Sequence, residues 1–183
     1  MTVFFCYCAL EQTVGLLASS YLVVFRGVPE VTASGFASLF FIGITLGRAV
    51  NGFLTFRLSD QQLIHLGQGL ILTGIVLLVL PVSEAVALAG FVMIGIGCAP
   101  IYPCIIHSTP EHFGKENSQA MVGVQMASAY IGTSIMPPLF GLIANHISIS
   151  LLPVYLLVIL GIQFAAYNKV LVLTKERKML YEN

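Results

Sequence analysis

The sequence predicts an all-α membrane protein of six transmembrane helices, and three observations predict it. Apolar residues make up 57% of the 183-residue chain and charged residues only 9%, where soluble domains carry about 25% charged residues. A water-soluble body of this size needs far more charge to coat its surface. The apolar residues are gathered into six stretches, each near or above the ~20 residues that cross a hydrocarbon core as a helix. These runs are continuous rather than alternating, which excludes a transmembrane β-barrel. Net charge is zero, so no basic field invites nucleic acid; the expected surroundings are a lipid bilayer.

The first span covers about 2–25 and carries Glu11 and Gln12 in its first half. In "RGVPEVTASG" Pro29 breaks the chain, and Thr32 or Ser34 would cap the second span, about 33–56. The polar "FRLSDQQ" separates it from the third, 63–82. "PVSEA" offers Ser83 as N-cap of the fourth, 85–108, with Pro81 before it. "STPEHFGKENS" predicts a single helical turn on the membrane surface, with Thr109 as cap, Pro110 as first residue and Gly114 as stop. The fifth span, 117–145, and the sixth, 148–172, complete a transmembrane domain over 1–173, leaving 174–183 as a tail.

Six spans put both termini on one side. With that side cytoplasmic, Arg57, Lys115, Lys169, Lys175, Arg177 and Lys178 are inside and Arg26 alone is outside, as the positive-inside rule requires. "GITLG" places Gly43 and Gly47 on one face of the second helix, a small-residue face for close helix packing. Gly123 with Ala127, Ser128 with Gly132, and Gly161 with Ala165 repeat the pattern. Pro100, Pro103, Pro137 and Pro138 fall inside spans, where each removes a backbone donor and bends its helix.

Ionisable residues inside a span are costly and are functional candidates by default. Glu11 heads them; its helical face holds Cys8, Gly15, Ala18 and Ser19, small and polar against a Leu/Val/Phe remainder. Arg48, in the second span, lies at a similar depth of ~12–14 Å from the cytoplasmic end, so an ion pair or water-bridged contact with Glu11 is expected. Gln125, Ser128 and Gly132 form a similar strip on the fifth span, and Tyr102 and Asn51 add hydrogen-bonding groups on the fourth and second. Such side chains read the hydroxyls of a small solute, and each is equally at home satisfying its own bundle. His65, His107, His112 and His146 fall at span ends or in loops, where an imidazole needs no role. Cys6, Cys8, Cys98 and Cys104 read as buried thiols rather than metal ligands. No phosphate-cradling loop, metal cluster or cofactor motif is present. "TASG" at 32–35 lacks the histidine partner of an intramembrane serine protease. No enzyme is expected.

Four stretches, "YCALEQTVGLLASSYLVVFRG", "GITLGRAVNGFL", "GIGCAPIYPCIIHSTPEHFG" and "GVQMASAYIGTSIMPPLFGLIANHIS", carry a family resemblance. Tyr7, Glu11, Gly15 and Tyr21 match a motif of the seventh span, Gly47, Arg48 and Gly52 the eighth, and Pro100, Pro103 and Thr109 to Gly114 the tenth. Gln125 and Pro137 match the eleventh. From about Tyr7 to Ile147 the chain resembles the C-terminal six-helix half of a major facilitator superfamily transporter, nearest the fucose-permease-like branch of sugar porters. Members of that branch often have Trp where Leu17 stands, and this chain has no Trp. The resemblance implies half of a twelve-span fold, itself a 3+3 inverted repeat, with the substrate site at mid-membrane between two halves. The partner would be an N-terminal six-helix half or a second copy. It further implies alternating-access uptake of a small polar solute, a sugar, with proton symport across the cell membrane. On that analogy Glu11 and Gln12 face the central cavity or gate and Glu11 binds solute or proton. Gln125, Asn51 and Tyr102 hydrogen-bond, and Arg48 with the 109–114 turn and its Glu111 shapes the inner gate. The competing reading is a non-transporting membrane remnant or interaction subunit.

Overall fold

In the computed structural model the described residues are 1–80, 83–114 and 116–181, without the side chains of 36, 37, 111–113 and 175–181. Six helices follow one another: α1 (Thr2–Arg26), α2 (Glu30–Leu54), α3 (Asp60–Val79), α4 (Glu84–Phe113), α5 (Ser118–His146) and α6 (Leu152–Tyr181), the last entered through a 3-10 turn at Ile149–Leu151. Each contains a stretch long and apolar enough to cross a membrane, and no strand occurs among the described residues.

Local chemistry sets the helix ends. Gly27 closes α1 at φ 69°, and the Val28 N–H returns to the Leu22 carbonyl at 3.1 Å, a left-handed cap that glycine alone adopts without strain. Ser59 and Gln62 form a reciprocal capping box at the start of α3. Ser83 caps α4 by accepting from the Val86 N–H, as its position in "PVSEA" implies.

Three boundaries differ from expectation. α2 begins at Glu30, directly after Pro29, so Thr32 and Ser34 lie inside it and the Ser34 hydroxyl bonds back to the Val31 carbonyl. Pro29 is extended at ψ 140°, and the acidic Glu30 suits the positive end of the helix dipole. The surface turn at 109–114 is not separate: α4 runs through Thr109 and Pro110 to Phe113, and Gly114 stops it at φ 86°. Thr109 caps nothing there; its hydroxyl donates to the Ile105 carbonyl at 2.8 Å. α6 continues to Tyr181, into the segment expected as a tail.

Packing follows a repeating scheme. α2 and α3 pack on α4, as α5 and α6 pack on α1, while α1 meets α4 and α3 meets α6. Exchanging the first three helices for the last three leaves this set of partners unchanged, which is the relation an inverted 3+3 repeat produces. Glycines permit the tightest approaches. A Cβ on Gly43 would lie 2.5 Å from the Val92 carbonyl oxygen, and one on Gly47 2.6 Å from the Ala99 Cβ, so the "GITLG" face does seat α2 on α4. Gly67 and Gly97 each face the other's carbonyl across α3 and α4. Gly123 and Gly161, by contrast, have open space around them and join no helices.

Arg26 finds a structural role at the far end. Its guanidinium donates to the Leu78 carbonyl at 2.6 Å and the Leu80 carbonyl at 3.0 Å, and the Tyr21 hydroxyl joins Leu78 at 3.2 Å. The last carbonyls of α3, which have no partner within the helix, are thereby tied to α1. The one basic residue expected on the outer side is thus a helix-end clamp.

Candidate functional site

A cavity of about 500 Å³ opens on the face formed by α1, α2, α4 and α5. Tyr7, Cys8, Glu11 and Gln12 reach it from α1 at helical spacing. Arg48 enters from α2 and Tyr102 from α4. α5 contributes Met126, Ala129, Tyr130 and Thr133, again one face of a helix.

Four of the expected site residues, Glu11, Gln12, Arg48 and Tyr102, therefore meet in one place. A direct ion pair between Glu11 and Arg48 does not form; among the described residues the salt bridge joins His107 to Asp60, 2.6 Å apart. Glu11 is half-buried and Arg48 exposed, so solvent in the open cavity meets both charges and direct neutralisation is not required. The shared lining is compatible with a water-bridged contact.

Tyr7, Tyr102 and Tyr130 bring aromatic rings to the cavity lining, and Phe4 packs on Tyr102 without reaching the cavity. Phe4 and Tyr102 lie 5.0 Å apart between centroids, with Tyr7 6.3 Å from Tyr102. Tyr7 is 1% exposed, and its hydroxyl is buried without a hydrogen-bond partner. The Glu11 carboxylate stands beside that hydroxyl as its available acceptor. The Tyr102 hydroxyl donates only to the Met126 sulfur, at 3.4 Å, a weak acceptor from which it is easily redirected. Tyr102 and the exposed Tyr130 supply an aromatic surface in a chain without Trp.

Gln125 and Asn51 lie elsewhere. Gln125 is buried, and its Nε2 donates to Thr109 Oγ1 at 3.2 Å. Ser128 bonds to the Gln125 carbonyl at 2.7 Å, and a Cβ on Gly132 would meet the Phe5 carbonyl oxygen at 2.7 Å. The Gln125–Ser128–Gly132 strip is therefore the seam of α5 on α1 and α4; Gln125 borders a small cavity of about 50 Å³ beside Met1 and Phe4 and is not part of the Glu11 cavity. Replacing Thr109 by Val removes the partner of this buried amide at nearly constant volume. The expected loss is ~1–3 kcal/mol, read as a lowered thermal midpoint of the purified chain; an unchanged midpoint would contradict the pairing. Asn51 lines a different cavity, of about 790 Å³, at the end of the bundle carrying the termini. The side chain of Glu111 lies outside the described residues.

Tyr130 and Thr133 are not evident from the sequence. Met126, Ala129, Tyr130 and Thr133 follow the i, i+3, i+4, i+7 pattern one residue beyond the polar strip, ~100° further round the helix. Choosing the strip by polarity selects the neighbouring face. All four cysteines are free and buried. His65 packs on Tyr167 and Phe164, and His146 bonds the Leu142 carbonyl at 2.9 Å. The side chain of His112 is outside the described residues.

The sequence profile of the Major Facilitator Superfamily matches residues 1–180. No curated protein matches the chain. Six membrane-length helices, the exchange-symmetric packing of their two triplets and a polar cavity on one face accord with that match. The chain belongs to the major facilitator superfamily, a family of membrane transporters.

Proposed function

We propose that this chain acts as the C-terminal six-helix half of a secondary transporter in the cell membrane, with both termini cytoplasmic, taking up a sugar with protons by alternating access. The observation that supports this reading best is the convergence of Glu11, Gln12, Arg48 and Tyr102 on one cavity. Its wall faces outward from α1, α2, α4 and α5, where a second six-helix body, an N-terminal half or another copy, would close it. Glu11 is the carboxylate of the lining and serves as the proton and solute group. Gln12, Tyr102 and Thr133 read hydroxyls, while the rings of Tyr102 and Tyr130 give the apolar face of a pyranose a surface. Arg48 holds the counter-charge opposite Glu11 and gates access. Gln125 and Asn51 lie outside this cavity, so the assignment of solute contacts does not include them.

The test is uptake of labelled monosaccharides into vesicles carrying the transporter, with the outside made acid. Accumulation of one sugar above equilibrium, collapsed by a protonophore, is the expected result. No accumulation of any monosaccharide under the gradient would overturn the sugar assignment, and accumulation indifferent to the protonophore would overturn proton coupling.

A further inference from the structure

The cavity of about 790 Å³ lies between α2, α3, α4 and α6 and shares no lining residue with the Glu11 cavity. Asn51 enters it from α2, 7% exposed, and its Oδ1 is buried without a partner. An amide oxygen in that state lacks the donor that buried polar groups ordinarily have. Asp60, in the first turn of α3, places its carboxylate in the same lining, with one oxygen 2.6 Å from His107 Nδ1. The Cys104 thiol of α4 lies beside both Asp60 and Asn51, which fixes these two acceptors in one neighbourhood.

Two hydroxyls of the wall are acceptors too. Thr55 donates its proton to the Gly52 carbonyl and Thr174 to the Val170 carbonyl, both at 2.9 Å. Each has only lone pairs left to offer. Among the described residues no Lys or Arg lines the cavity. Beside the Gln61 amide and the His107 imidazole that meets one Asp60 oxygen, the wall presents the other carboxylate oxygen, an unmet amide oxygen and spent hydroxyls. It suits a ligand that brings several protons and a positive charge. A bare alkali ion needs oxygens converged tightly around it, whereas this volume falls in the range of pockets for small organic molecules, about 300–1,000 Å³. Tyr167 and Leu171 add apolar wall for a short carbon chain.

We propose that this second cavity binds a small organic ammonium ion, its N–H groups donating to Asn51 Oδ1 and the Asp60 carboxylate. The inference goes beyond the transport reading and stands whether or not the Glu11 cavity carries a sugar.

The purified full chain in lipid nanodiscs is titrated at neutral pH with 2-aminoethanol, with 1,2-ethanediol, and with sodium chloride at matched ionic strength, following the thermal midpoint. A saturable rise with 2-aminoethanol alone is expected. Asp60→Asn weakens the apparent affinity by roughly 10-fold or more, as loss of a charge-assisted hydrogen bond implies. Glu30→Gln, the same charge change at the opposite end of the bundle, leaves it unaltered. Should Asp60→Asn fail to fold, Asn51→Leu is measured in its place, with the same weakening expected. No saturable rise, an equal rise with sodium, or undiminished affinity in the folded variant would each overturn the proposal; the sodium outcome would assign the cavity to a bare cation.

Discussion

Glu11→Gln is expected to abolish solute accumulation while leaving the protein folded. The side chain is half-buried, makes no salt bridge among the described residues and is the carboxylate of a cavity it shares with Arg48, Gln12 and Tyr102. Glutamine keeps its shape and hydrogen-bonding reach and removes only the titratable charge. Stability should therefore change little, because no buried charge loses a bonded partner. Transport should change much. One charge crossing about 100 mV carries ~2.3 kcal/mol, enough for roughly 50-fold accumulation, and without a proton-binding group that ratio falls to one. Uptake across a series of external pH values separates the cases. The variant should equilibrate solute without concentrating it and lose its dependence on pH. Unchanged uptake with an unchanged pH profile would remove Glu11 from the coupling role.

Gly95→Val should be the most damaging single change to the scaffold. A Cβ at Gly95 falls directly on the Phe40 carbonyl oxygen and 3.0 Å from the Ile44 amide nitrogen. Both neighbours are backbone of α2 and cannot rotate aside, so α2 must move as a body. Overpacking of this kind costs about 3 kcal/mol. Because Arg48 rides on the same helix, the cavity wall moves with it, and transport should fall along with the thermal midpoint. Gly123→Val, placed in open space on α5, is the matched control and should shift stability by no more than ~0.5 kcal/mol. Equal midpoints for the two variants would contradict the packing of α2 on α4.

Much of this is legible in the sequence for identifiable reasons. A membrane span announces itself by length and hydropathy alone, so the six helices can be read without knowing any neighbour. Glu11 and Arg48 stand out because charge in such a span is expensive, and they do meet in one cavity. Ser83 is readable as a cap because the signal is local. What escapes depends on partners distant in the chain. Thr109 looks like a cap until α5 brings Gln125 to its hydroxyl. Polarity draws attention to Gln125 and Ser128, yet only the docking of Gly132 on Phe5 decides that this face of α5 is turned inward and the next one toward the cavity. The inverted repeat leaves no visible trace in residue identity; it lies in which helix packs on which.

The central claim is that the α1, α2, α4 and α5 face is one wall of a transport cavity closed by a second six-helix body. The mass of the transport-competent unit released from source membranes, by native mass spectrometry, tests it most directly. The account predicts a unit near twice the 19.7 kDa of this chain, whether as one polypeptide, two different ones or two copies. A unit at 19.7 kDa that still transports solute would contradict it.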